Sequence, residues 1–255
     1  LTIGATKVSG SISITGPASL AYTASGSITQ AVTGDGSVSY DPTGPCTILG
    51  TIVTMTSGTG NCTVTATLGD GANYSGASSN TLTIGATKAL GSISLTGPTS
   101  LVYMTSGTIT STVVGDGSVS YAASAPCTMS GTTVTMTSGT GSCTVTATLG
   151  EGTNYTGASS IALTIGATKV PGSIGITGPA SLTYNTSGTI TPTILGDGSV
   201  TYAPTGPCTI LGTTVTMTSG TGSCAVTATL AEGANYLGSV RSEERRVGKE
   251  CSLQC

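Results

Sequence analysis

The chain has 255 residues, of which 7% are charged and 37% hydrophobic, with 39 glycines, no histidine, tryptophan or phenylalanine, and a net charge of −3. It therefore has no basic surface for a nucleic-acid backbone, no run of about eighteen apolar residues to cross a membrane as a helix, and no Ser-His or Cys-His pair for nucleophilic catalysis. Neither an enzyme nor a cofactor-binding protein is expected.

Residues 1–7, LTIGATK, recur as Leu82–Lys88 and Leu163–Lys169. Where they follow a complete repeat they alternate as its last strand. The first copy is accordingly read as the last strand of a missing upstream repeat, and the chain as a fragment opening inside an array. The first repeat proper, 8–88, predicts strands at Ser11–Thr15, Leu20–Tyr22, Ser27–Thr33, Ser37–Tyr40, Cys46–Leu49, Ile52–Met55, Cys62–Leu68 and Asn80–Ile84. Gly16-Pro17 supplies one turn, Gly34-Asp35-Gly36 a hairpin with positive φ, and Pro42 to Pro45 an end to pairing. In Cys62–Leu68 the residues Cys62, Val64, Ala66 and Leu68 share one face and Thr63, Thr65 and Thr67 the other, the alternation of a half-buried strand. No ten-residue segment has a helical apolar period.

The stretch Cys46 to Leu68 organises the repeat. Cys46 and Cys62, Cys127 and Cys143, Cys208 and Cys224 recur every 81 residues. In a flat three-stranded meander the two cysteines of a pair would stand about 9–10 Å apart, too far for a disulfide. If the chain crosses to a facing sheet through Ser57-Gly58-Thr59-Gly60, the sulfurs meet at the rim of a sandwich. Three inter-sheet disulfides are therefore predicted, each worth about 3 kcal/mol by loop closure, and they imply an oxidising compartment. Zinc would need four convergent ligands, and a repeat offers two cysteines and a few carboxylates.

The second repeat, 89–169, and the third, 170–240, repeat the pattern. Each unit is large enough for one small core, built from aliphatic residues and three tyrosines and reinforced by its disulfide. Short strands with frequent turns give an all-β chain of three tandem β-sandwich domains, joined by linkers too short for free swivelling. Each should span about 30–40 Å, the three together about 100 Å.

The run from Gly60 to Lys88, with Cys-Thr-Val-Thr-Ala-Thr-Leu, then Gly-Asp-Gly-Ala-Asn-Tyr-Ser-Gly, then Leu-Thr-Ile, resembles the end of bacterial immunoglobulin-like repeats, including the MBG type. The resemblance covers all three repeats, with Cys62, Cys143 and Cys224 standing where those repeats often carry tyrosine. It implies immunoglobulin-like sandwiches in a large cell-surface or secreted protein, and it carries over no catalytic residue.

After Gly238 the third repeat departs from the pattern. Ser242-Glu243-Glu244-Arg245-Arg246 stands where Asn80-Thr81-Leu82-Thr83-Ile84 would recur, and four of the seven cations lie in 241–255. The run RSEERRVGKEC resembles the translation of a sequencing adapter, which makes 241–255 a non-native tail. The third repeat is expected to lack its closing strand, to expose an edge and to be the least stable.

Asp35, Asp116 and Asp197 sit between glycines, while Asp70, Glu151 and Glu232 precede a Gly-x-Asn-Tyr turn. These six are the Ca²⁺ candidates, but Ca²⁺ takes six to eight oxygens and turns favour Asp for local hydrogen bonding. The turn role is expected, and no metal. Lys7, Lys88 and Lys169 stand at the repeat junctions. Outward threonines, Thr54 and Thr56 with Thr63, Thr65 and Thr67, would suit a glycan surface, but threonine also favours exposed strand positions. The sequence thus points to a spacer in the stalk of an exported bacterial protein, touching neighbouring repeats. The alternatives are an adhesive module that binds glycan or protein through loops or threonine faces, and accessory repeats of a secreted hydrolase.

Overall fold

The computed structural model describes residues 1–245. No helix occurs among them, hence none long and apolar enough to cross a membrane. The chain is all-β, with three repeated units of tandem β-sandwich type, each holding one disulfide.

In the first repeat the strands are β1 (Val8–Ser9), β2 (Ser11–Thr15), β3 (Ser19–Ala21), β4 (Ser25–Ser27), β5 (Thr29–Thr33) and β6 (Val38–Thr43). They continue with β7 (Cys46–Leu49), β8 (Ile52–Met55), β9 (Asn61–Leu68), β10 (Tyr74–Ser75), β11 (Ala77–Ser78) and β12 (Leu82–Thr87). The alternating β9 is the centre of one sheet, with β6 on one side and β11 and β12 on the other, and β3 runs parallel beyond β12. The other sheet is β4-β8-β7, and β2 pairs with β5. Cys62, Val64, Ala66 and Leu68 pack against Cys46, Val53 and Met55, closed by Ile12, Ile14, Ile28 and Ile84. Each fully buried aliphatic side chain of this kind contributes about 1.5–3 kcal/mol. Crossing from β8 to β9 through Ser57–Gly60 therefore changes sheet, as the cysteine spacing requires.

Several expectations change. The strand expected over Ser27–Thr33 breaks at buried Ile28, because β4 pairs with β8 while β5 pairs with β2. Gly34-Asp35-Gly36 is not a hairpin, since β5 and β6 belong to different sheets. Pro42 does not end pairing: it lies within β6 opposite Val64, and β6 pairs with β9 alone, an edge that tolerates a residue with no N–H to donate. Leu1–Lys7, expected as a strand, is irregular and exposed, whereas Leu82–Thr87 and Leu163–Thr168 are strands.

The third repeat does not lack a closing strand. Ser239–Arg245 pairs antiparallel with Cys224–Leu230, because the unpaired amides and carbonyls of an open edge accept any extended chain whatever its side chains. Its register differs from the other repeats. Ala77 pairs with Leu68 but Leu82 with Val64, one residue out of step, and the second repeat does the same with Ala158 to Leu149 and Leu163 to Val145. This bulge is built on Ser79 and Ser160, whose hydroxyls accept the amides of Ala66 and Ala147. Arg241 stands at that position in the third repeat, and pairing there runs on without a bulge. The rest of the tail, 246–255, lies outside the described residues.

By compactness the described residues divide into two units: Leu1–Leu95 with Ser111–Tyr121 and Thr146–Ala162, and Thr96–Thr110 with Ala122–Val145 and residues 163–245. The second repeat contributes to both. The first unit contains the core just described and a cluster of Ile93, Ala147 and Leu149. The second contains a cluster around Ile174, Ile176, Met217, Cys224 and Leu230.

Candidate functional site

The cysteines pair as their spacing requires: Cys46–Cys62, Cys127–Cys143 and Cys208–Cys224, with Cα–Cα distances of 5.7, 5.8 and 5.8 Å. Each joins a strand of one sheet to a strand of the other. They lie within the buried cluster rather than at an exposed rim, so they are structural rather than redox-active in placement.

The six carboxylates serve two tasks. Asp35 accepts from the backbone amides of Asn73 (3.0 Å) and Tyr74 (3.2 Å). Asp116 does the same for Asn154 and Tyr155, and Asp197 for Asn235 and Tyr236. The Gly-Asp-Gly crossing is thus a clamp that shapes the Asn-Tyr turn 38 residues downstream. A Cβ at Gly71 would overlap the Asp35 carboxylate, and one at Gly36 would overlap the Gly69 carbonyl. The amide of Asn73 foremost, then its side chain and the amide of Tyr74, hold the Asp35 carboxyl below its ordinary pKa against some desolvation. Asp70, Glu151 and Glu232 instead meet Lys7 (3.3 Å), Lys88 and Lys169 (2.6 Å). The amide of Gly76, with Lys7 second, lowers the pKa of Asp70. Among the described residues no three Cys, Asp or Glu side chains converge as a metal would require.

What the clamp presents is a docking surface between consecutive repeats, which the sequence reading missed. The amide of Gly58 donates to the side-chain oxygen of Asn154 at 2.9 Å, and Gly139 to Asn235 at 2.8 Å. Tyr22 meets Tyr155 edge to face with centroids 5.4 Å apart, and Tyr103 meets Tyr236 at 5.9 Å, the geometry that aromatic quadrupoles favour. Gly58 and Gly139 are glycines because of approach: a Cβ there would stand 2.8 and 2.7 Å from the Asn154 and Asn235 Cα atoms. The tyrosine is aimed by backbone on both sides. Its amide donates to Thr87 in the first repeat and to Thr168 in the second. The next residue, Thr23 or Met104, has φ of 63° or 61°, a left-handed conformation that non-glycine residues adopt at a cost of about 1 kcal/mol or more.

The remaining candidates have local roles. Thr54 shares a hydrogen bond with Ser25 at 2.7 Å, as Thr135 does with Ser106 and Thr216 with Ser187, so one file of the outward hydroxyls is occupied across strands. The lysines at the junctions are ion-paired. A comparison of the three copies by eye could have found Tyr22, Gly58, Asn73 and Tyr74, because they recur in every copy. So much else recurs that nothing singled them out.

No family model and no curated protein matches the chain. Among solved structures it is similar to the three N-terminal domains of the highly immunogenic outer capsid protein Hoc of bacteriophage RB49. The identity is 13%, the match covers 94% of this chain and 100% of that one, and the TM-score is 0.27. A likeness that low supports no argument about function.

Proposed function

We propose that the chain is a spacer segment of an exported surface protein, built from immunoglobulin-like repeats of the bacterial type, with no chemistry of its own and with neighbouring repeats as its partners. The observation that carries this reading is the junction made twice with the same residues: Gly58 and Tyr22 against Asn154 and Tyr155, then Gly139 and Tyr103 against Asn235 and Tyr236. A chain that uses its clamps to fix one repeat on the next, and its carboxylates to shape those clamps, is suited to transmitting force and holding distance. Three buried disulfides support an oxidising, extracellular setting.

Single-molecule pulling tests the reading. Each disulfide shunts the segment between its cysteines, 16 positions apart, out of the extension. Reduction should therefore lengthen each unfolding step by about 50 Å and lower the unfolding force. If reduced and oxidised chains unfold with the same step and force, the disulfides have no mechanical task. Binding of the oxidised chain to a glycan array, lost on replacing exposed Thr56 and Thr67, would put the adhesive reading in its place.

A further inference from the structure

The disulfide of a repeat lies beneath the surface on which the next repeat docks. Tyr22, which meets Tyr155, is hung between the two sheets. Its amide donates to the carbonyl of Thr87 on β12 at 2.8 Å, and the amide of Thr23 donates to the carbonyl of Met55 on β8 at 3.0 Å. Met55 pairs with Cys46, and Ile84 of β12 pairs with Cys62. A closed circuit therefore runs from Tyr22 along β12 to Cys62, across the sulfurs to Cys46, and back through Met55 to Thr23. Opposite the tyrosine, the disulfide is the link that sets how far apart the two sheets stand.

Gly58, whose amide reaches Asn154, sits in the crossing between the same two sheets. On one side the amide of Thr56 donates to the carbonyl of Pro45, next to Cys46, at 2.9 Å. On the other the carbonyl of Gly60 accepts from the amide of Ala86 at 3.0 Å, and the crossing ends at Asn61, next to Cys62. Both docking groups thus hang from strand ends that the sulfurs join.

The second repeat builds the same circuit. The amide of Tyr103 donates to Thr168 at 2.9 Å and that of Met104 to Met136 at 2.8 Å. Met136 pairs with Cys127, and Ile165 with Cys143. Thr137 donates to Pro126, and Gly141 accepts from Ala167, both at 2.9 Å. Thr23 and Met104 have unlike side chains, so the circuit is carried by backbone.

We propose that each of these two disulfides is the positioning pair of a junction: it holds the sheets at the separation where tyrosine and glycine together fit the Asn-Tyr turn of the next repeat. Two thiols stand farther apart than two bonded sulfurs. Cys62 is fully buried in a close-packed interior, so reduction gains that room by parting the strands. Tyr22 and Gly58 then move relative to each other, and a hydrogen bond and an edge-to-face contact do not both survive the change. The coupling is reciprocal. A bond that favours docking is itself held oxidised by docking, by the same factor. The inference rests on the junction that carries the spacer reading, but its test reads a chemical equilibrium and not a force, so either can fail alone.

The oxidised full chain is equilibrated in buffers of graded reduced-to-oxidised dithiothreitol and quenched by alkylation, and each cysteine pair is read separately by peptide mass spectrometry. Each reduction breaks one S–S bond; dithiothreitol supplies two electrons and two protons and closes to its cyclic disulfide. Asn154→Ala removes the side-chain oxygen that accepts from Gly58. It should lower the ratio that half-reduces Cys46–Cys62 by about two- to tenfold and leave Cys127–Cys143 unchanged. Asn235→Ala, which frees Gly139, should do the reverse. Leu68→Val, a core change at the far end of β9 from Cys62, should shift neither pair, and the amides of Val53 and Val64 should keep folded chemical shifts in the reduced chain. No shift, or a shift of both pairs together, overturns the proposal. So does a response to Leu68→Val equal to that of Asn154→Ala, or loss of the folded signals on reduction, because the disulfides would then serve the sandwich and not the junction.

Discussion

Asp35 shows how a residue of ordinary type acquires a structural task. Its local setting, an aspartate between two glycines, was legible as a turn that takes hydrogen bonds. Its partners were not, because they lie 38 and 39 residues away and nothing in Gly-Asp-Gly names them. Since those amides hold the carboxyl below its ordinary pKa, Asp35 adds stability that is fully present above the unfolded-state pKa, about 3.9. That stability is lost as the pH falls through the folded-state value. Asp70 acts in the same direction. The first repeat should therefore melt at lower temperature as the pH drops below about 4. Asp35→Asn should make that dependence shallower, with Asp70 supplying what remains. Calorimetry from pH 6 to pH 2 decides it: a variant with the slope of the wild type would mean that Asp35 is not the titrating group.

At the scale of elements, the alternating strands and the disulfides could be read from side-chain period and cysteine spacing, because both are local or nearly so. What could not be read depended on which sheet a strand joins. Ser27–Thr33 is one apolar-polar run in sequence but two strands in space, because Ile28 turns inward where the chain changes sheets. Leu-Thr-Ile-Gly-Ala-Thr is strand or irregular according to whether an edge awaits it, which shows tertiary context overriding propensity. The tail strand is the converse, a polar sequence drawn into a ladder by an open edge. Backbone pairing alone does not replace a core residue. Ile84→Ala should cost the first repeat about 2–5 kcal/mol. The third repeat, whose Cys224 and Val226 are less covered than their counterparts, should be cut first in limited proteolysis of the oxidised chain. Mass spectrometry of the earliest fragments would show it; first cleavage within 8–88 would mean that Ser239–Arg245 closes the third core as well as β12 closes the first.

At the scale of the molecule, a tandem array depends on what its junctions do. The short linkers were legible from the repeat boundaries, but linker length alone says only that repeats are near one another. The fixing contact comes from loops of different repeats, and it requires a strained residue after a tyrosine, a glycine with room for no side chain, and a clamped asparagine. Gly58 has no need of glycine for its own backbone, since its φ is not among the positive ones; only the Asn154 backbone excludes a Cβ. Gly58→Val should therefore leave the first sandwich within about 0.5 kcal/mol of its stability while separating it from Asn154 and Tyr155. The measurement is ¹⁵N relaxation of backbone amides in the first and second repeats. In the wild type, amides around Val64 should tumble with those around Tyr155 as one body; in Gly58→Val the correlation time of the first repeat should fall toward that of a single domain. If relaxation is unchanged while melting is also unchanged, the linker and the Lys88–Glu151 ion pair suffice, and the tyrosine-asparagine contact has no part in stiffness. If melting falls with the correlation time, Gly58 serves its own sandwich first, and the junction must be tested through Asn154→Ala instead.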